Sequence, residues 1–359
     1  MAEAKSIESL SLFFTAGAAA GWFLAGSSAG LCSAILLPVA ALPFFLRGKL
    51  LKTSSKAIGV LFCGTFLLLG AFCALNASII PRTGESTIMV KAKMCAEALK
   101  RLIGTIPFPH RNTGPLLQAL FTGDRSALSP DLITAFRRSG ASHILALSGL
   151  HMGIIYLVFD KLTSVLGRSP AARFARGFLA VAASAFFTVM TGASPSIVRA
   201  FLFILINESL KLTGRPRKAV RVLCLALLVQ LALQPEVISS LGFQLSYLAM
   251  AGIFLIYPVM EKWYPEGKSP LRWVWKSAAL AISCQITTAP LVWLRFHTFP
   301  RYFLLTNLMA LPLTTLLMTC ALLTITLAAA GMAPHLLVNL TDGICSLLTE
   351  TLEIIGSLQ

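Results

Sequence analysis

Apolar runs close to twenty residues long recur along almost the whole chain, and each carries few charges or none. A helix needs about 20 such residues to cross the roughly 30 Å hydrocarbon core of a bilayer. Lipid offers the backbone no hydrogen-bond partner, so a crossing segment must satisfy its own N–H and C=O groups, as a helix does. That feature confines the chain to an all-α, polytopic membrane fold of about ten or eleven helices. Composition agrees: 56% of the 359 residues are hydrophobic and 12% charged, against about 25% charged in an average globular chain. So few charges could not cover a water-soluble body of this length. Soluble dehydrogenases, nucleases and zinc-finger proteins are thereby excluded.

Three apolar segments open the chain, near 10–26, 29–46 and 58–75. A cleaved signal peptide is disfavoured, because Glu3 and Glu8 outnumber Lys5 and a second apolar run follows at once. Further segments fall near 144–159, 177–190, 196–210, 219–233, 238–257, 278–294 and 303–328. Pro195, Pro290 and Pro312 interrupt or flank some of them, a pattern tolerated where backbone lines a cavity or packs on protein. A last segment near 336–355 carries Asp342, Glu350 and Glu353, and those carboxylates leave a surface position as the alternative to a crossing. The expected division is N-terminal hydrophobic helices (1–75), a basic extracytoplasmic segment (76–113), a main helical domain (114–330) and a C-terminal helix (331–359).

The net charge is +16, and in a membrane protein its location matters more than its sum. With the N-terminus in the cytoplasm, cytoplasmic parts hold eighteen basic residues and the short outer loops only Arg295 and Arg301. That is the bias of a multi-pass cell-membrane protein in this orientation. The long segment 76–143 departs from it, with nine basic and four acidic residues. Its Lys91, Lys93, Lys100, Arg101 and Arg111 make a candidate outer basic surface. Lys91–Ile103 is amphipathic, with Met94, Cys95, Ala98, Leu99, Leu102 and Ile103 on one face, as in an interfacial helix.

Eight scattered cysteines without a CxxC pair read as small core residues rather than a disulfide or metal framework. No Gly-rich phosphate loop is present, so neither a cofactor nor a nucleotide site of the chain's own is expected.

The stretch from Gly114 to Phe159 holds Gly123-Asp124, then Phe136-Arg137-Arg138-Ser139-Gly140, then His143-Ile144-Leu145-Ala146-Leu147-Ser148-Gly149-Leu150-His151. It resembles the competence domain of the ComEC family, membrane proteins proposed to pass transforming DNA across the cytoplasmic membrane. Downstream, Gly192-Ala193-Ser194-Pro195-Ser196-Ile197-Val198-Arg199-Ala200 and Gly242-Phe243-Gln244-Leu245-Ser246-Tyr247 follow in the family order. Gln285, Thr288 and Pro290, then Asn307 and Pro312, fit the last recurring pattern. The resemblance spans about residues 114–325, making 114–330 a competence (channel) domain. Two departures stand out. Residues 76–113 are too few for the OB-like domain of larger members, and none of the five histidines shows the HxHxDH spacing of their metallo-β-lactamase-like domain. The resemblance therefore implies a channel-only member, or one dependent on partners.

Arg199 is the most informative single residue, since a charge within an apolar helix usually faces a cavity or a partner. Glu208 is nine positions on, about 180° round the same helix, and cannot be that partner. Snorkelling to the interface, pairing with another helix and facing a polyanion all stay open. Ser148 and His151 stand at i and i+3, adjacent on one helix face. A Ser beside a His invites a hydrolase reading, but no acid in the same helix could orient the imidazole. Helix packing, with Gly149 and Gly153 allowing close approach, is the plainer alternative. Asp124, Arg137, His143, Ser194, Gln244, Ser246, Gln285 and Asn307 could each line a transport path or bridge helices.

The expected function is passage of single-stranded DNA inward, without catalysis, through a helix-lined path containing Arg199 and the Ser148–His151 region. A small-solute or ion transporter is the main rival, and an intramembrane hydrolase a third reading. Expected partners are single-stranded DNA, the lipid bilayer, and a DNA receptor, a cytoplasmic helicase and a nuclease on other chains. Homo-oligomerisation stays open.

Overall fold

The computed structural model describes residues 2–23, 55–79, 87–167, 169–264, 270–297 and 300–358. The apolar segment expected near 29–46 lies outside them. In chain order the α-helices are α1 (Ala2–Phe23), α2 (Ser55–Ile79), α3 (Thr87–Thr105), α4 (Thr113–Thr122), α5 (Pro130–Arg138), α6 (Ser142–Leu145) and α7 (Gly149–Leu162). Then come α8 (Pro170–Met190), α9 (Pro195–Leu212), α10 (Ala219–Leu233) and α11 (Leu241–Leu255). The rest are α12 (Tyr257–Glu261), α13 (Pro270–Phe296), α14 (Phe303–Ala329) and α15 (His335–Ser357). The described residues contain no strand, so the all-α expectation holds.

Local chemistry sets several of these boundaries. Ser129 and Ser169 accept N–H bonds from Leu132 and Ala172 at the starts of α5 and α8, each followed by proline at the first helical position. Pro195 likewise opens α9 rather than breaking it. Pro290 and Pro312 sit inside continuous helices, each removing one ladder hydrogen bond without ending the helix.

Five stretches among the described residues are long and apolar enough to cross a membrane: 149–166, 170–190, 241–261, 271–296 and 303–329. Their surfaces carry large exposed apolar groups, including Phe174 and Phe178 on α8 and Trp273 and Trp293 on α13. These features describe a multi-pass membrane protein.

The chain divides into two compact units, residues 1–84 with 202–244 and residues 85–201 with 245–359. In the first unit, α1 and α2 run parallel. Gly17 meets Leu67 and Gly21 meets Ala71, so residue numbers rise together along the contact, and Phe14 lies edge-on to Phe66. A Cβ added at Gly21 would lie 2.6 Å from the Ala71 carbonyl oxygen. Only glycine permits that backbone approach.

In the second unit, α14 and α15 lie antiparallel along their length. Near one end the Thr324 and Thr341 hydroxyls meet at 2.9 Å. At the other, Thr306 donates to the Ser139 carbonyl at 2.6 Å, and Gly356 abuts Arg138. Against this pair pack α4 and α5, through the enclosed Leu116, Leu120 and Phe136 on one side and Leu317, Met318, Leu348 and Leu352 on the other. Of the carboxylates of α15, Asp342 is buried, whereas Glu350 and Glu353 are exposed.

Helix α3 packs on the protein largely through small residues. Ala92, Ala96 and Ile103 are buried, whereas Met94, Cys95 and Ala98 are exposed. Small alanines let the helix come close to its neighbours, and hydrophobicity alone underweights them.

Candidate functional site

Two of the turn sequences meet in one cleft of about 500 Å³, lined by α3, Thr122–Asp124 and Val189–Gly192. Gly123 ends α4 with φ +82°, and its N–H donates to the Ala119 carbonyl at 2.9 Å. An added Cβ there would meet the tip of the Leu147 side chain, but it is the left-handed backbone that calls for glycine. The chain leaves α8 by two successive left-handed residues, Gly192 at φ +76° and Ala193 at +50°. The Ala193 N–H donates back to the Thr188 carbonyl at 2.8 Å, tying off the helix end.

Charges of both signs line this cleft. Lys100 Nζ lies 2.5 Å from Asp124 Oδ2 and 2.6 Å from Glu97 Oε1. Asp124 Oδ1 also accepts the Ser126 N–H at 2.9 Å. The Lys100 ammonium, with the Ser126 N–H behind it, holds the Asp124 carboxyl at about 2. The same bonds, to Asp124 and then Glu97, push Lys100 up. Lys91, Lys93, Arg101 and Arg111 are exposed.

Arg199 is buried in the first turns of α9. Its guanidinium donates to the Ser246 carbonyl and lies 5.9 Å from the centroid of the Tyr247 ring. On another side it approaches Gly149, where a Cβ would lie 3.1 Å from its Nη2. Arg199 thus joins α9 to α11 beside the start of α7. Gly153, by contrast, faces open space. Glu208 pairs with Lys211 at 3.2 Å.

Ser148 and His151 form a capping box at the start of α7. Ser148 Oγ accepts the Leu150 N–H at 3.2 Å, and His151 Nδ1 accepts the Ser148 N–H at 3.3 Å. Imidazole here takes the place usually held by Glu or Gln. His151 is fully buried, and its Nε2 has no hydrogen-bond partner among the described residues.

The remaining polar positions are dispersed. Ser194 Oγ and Asn307 Oδ1 are buried without partners among the described residues. Gln285 is half-buried, Arg137 and His143 are exposed, and His143 Nδ1 lies 3.2 Å from the Gly140 carbonyl. Gln244 belongs to the first unit, where its amide donates to the Ile238 carbonyl at 2.8 Å. No group of three or more His, Cys, Asp or Glu suited to a metal ion occurs among the described residues.

One cluster escaped the sequence. The Asp342 side chain, 4% exposed, accepts the His110 N–H at 3.1 Å, His110 Nδ1–H at 2.5 Å and the Thr113 hydroxyl at 2.6 Å. Burial works against its charge, but the Thr113 and His110 hydrogen bonds outweigh it and hold the carboxyl below the usual range. His110 and Asp342 are 232 residues apart, and no local pattern links them.

A family model described as competence protein matches residues 120–359. ComE operon protein 3 of Bacillus subtilis (strain 168) is 27% identical over 209 residues, covering 58% of this chain and 25% of its own length. Uncharacterized protein YcaI of Escherichia coli (strain K12) is 27% identical over 271 residues, 71% of this chain and 34% of its own. Competence protein ComA of Neisseria gonorrhoeae is 30% identical over 174 residues, 46% of this chain and 25% of its own. The matched chain spans a quarter to a third of the length of these relatives. No solved structure matches significantly. The family match covers two thirds of the chain and takes in Asp124, the Ser148–His151 cap and Arg199; the chain belongs to the competence protein family.

Proposed function

We propose that this chain forms a membrane path through which single-stranded DNA passes inward during natural competence. The observation that carries the reading is the cleft, where family sequences from two parts of the chain meet beside Lys93 and Lys100. Lys100 is paired there with Glu97 and Asp124, so the attraction for a polyanion comes from the exposed Lys91, Lys93 and Arg101 of the helix that lines the cleft. The path is non-catalytic in this reading. Ser148 Oγ lies 3.0 Å from His151 Nδ1, but a serine hydrolase also needs an imidazole steered by an acid, and no acid contacts Nε2 among the described residues. In this reading a DNA receptor delivers the strand, a helicase draws it in, and the N-terminus is cytoplasmic.

Deleting the gene in a naturally competent host should abolish transformation while DNA still binds at the cell surface. Restoring this chain should restore uptake. Normal transformation in the deletion strain would sink the proposal.

A further inference from the structure

The turn between α3 and α4 lies far from where its neighbours in sequence would put it. On α15, Gly356 abuts Arg138 beside the Ser139–Thr306 bond, while Asp342 holds His110 and Thr113. Those two positions are fourteen residues apart on one continuous helix, a rise of about 21 Å. The turn therefore sits well along the α14–α15 pair from the Ser139 end, and α4 leads back from it toward the Asp124 cleft. Residues 87–122 form a helical hairpin that runs down beside α14 and returns.

The tip of this hairpin is built to be rigid and exposed. Pro107 and Pro109 restrict its backbone, and Asp342 fixes its end by three hydrogen bonds. The His110 side chain is nonetheless 62% exposed, and Arg111 and Asn112 beside it are exposed. The tip thus presents an imidazole edge and a guanidinium together on an exposed turn. With Nδ1–H committed to Asp342, the polar edge left on the imidazole is Nε2. Arg111 supplies a fork matched to phosphate geometry.

We propose that the α3–α4 tip, Arg111 with the Asp342-anchored His110, is a phosphodiester-binding subsite on the path, separate from the Lys93–Lys100 cleft. This rests on the DNA-passage reading. The test uses the full chain in zwitterionic nanodiscs and a labelled thymidine 20-mer, titrated over a salt series. One charge-assisted hydrogen bond corresponds to about tenfold in affinity. Arg111→Gln should therefore weaken binding about tenfold and lower the log–log salt slope by about 0.7. Arg111→Lys should retain part of the affinity, and His110→Gln should weaken binding with its melting temperature monitored alongside. If Arg111→Gln binds the 20-mer like the parent while Lys93→Gln binds less, the subsite falls and the DNA reading stands. If the parent binds no strand, both fall. If Arg111→Gln instead alters only binding to anionic-lipid nanodiscs, the tip contacts headgroups and the subsite is overturned.

Discussion

The α1–α2 pair and the α14–α15–α4 assembly solve the same problem with opposite chemistry. Helices in lipid gain little from hydrophobic burial against one another, so they associate by close van der Waals packing or by polar contacts. The first region uses close approach: Gly17, Gly21 and Gly70 bring backbone onto backbone, and Phe14 lies edge-on to Phe66. The second uses hydroxyls and a buried carboxylate, at Thr324–Thr341, Thr306–Ser139 and Asp342 with His110 and Thr113. The contrast teaches that the first contact is governed by volume and indifferent to pH. The second depends on charge state, and it holds the elements that shape the candidate path.

The contrast breaks most sharply at Gly17. Its neighbour is the Leu67 backbone, which cannot move aside, so Gly17→Leu should cost about 3 kcal/mol, the upper end for overpacking. A monodisperse protein with an unchanged melting temperature would show that close approach does not hold this region. Next comes Asp342→Leu, which strands the Thr113 hydroxyl and the His110 N–H groups and should cost about 2–3 kcal/mol. Asp342→Asn keeps an acceptor and should cost less. Because the native carboxyl lies below the usual range, its contribution is present above the ordinary carboxylate value of about 4. It is lost as pH falls through the native value. Thermal melts from pH 7 to 3 should fall for the parent and flatten for Asp342→Asn; parallel curves would contradict this.

Arg199 ranks third. Arg199→Gln loses a buried charge-assisted bond to the Ser246 carbonyl, at about 1.5–3 kcal/mol, and should lower the amount of folded protein. Arg199→Lys should keep part of it. Equal folded levels with normal transformation would mean the bond is dispensable. The smallest effect is expected for Lys100→Met, below about 1 kcal/mol because the pair is partly open to solvent. The carboxyl of Asp124, relieved of its partner, should then titrate above its native value of about 2, as a pH series on a labelled Asp would report.

What the chain revealed before folding follows the range of the forces involved. Crossing helices are written locally, and α10 begins and ends where its apolar run does, at Ala219 and Leu233. Gly123 and Gly192 were legible only as part of the family resemblance; their positive φ is a finding of the fold. The packing of α3 was not legible: Ala92 and Ala96 pack by being small, and that depends on the partner. The partners of Asp342 were not legible either, since the His110 and Thr113 groups that cover it are more than two hundred residues away. Ser148–His151 carried the right adjacency and left its purpose open between a helix cap and chemistry.

The exposed tryptophans of α13 have a mechanical consequence. Trp273 and Trp293 are twenty residues apart on one helix, about 30 Å along its axis. Indole rings settle at the headgroup level, so this pair works as a built-in gauge matched to an ordinary bilayer. A thinner sheet of lipid would have to let α13 lean, carrying with it the kink-prone stretch at Pro290. The lean of α13 should therefore be greater in bilayers of short acyl chains than in bilayers of long ones.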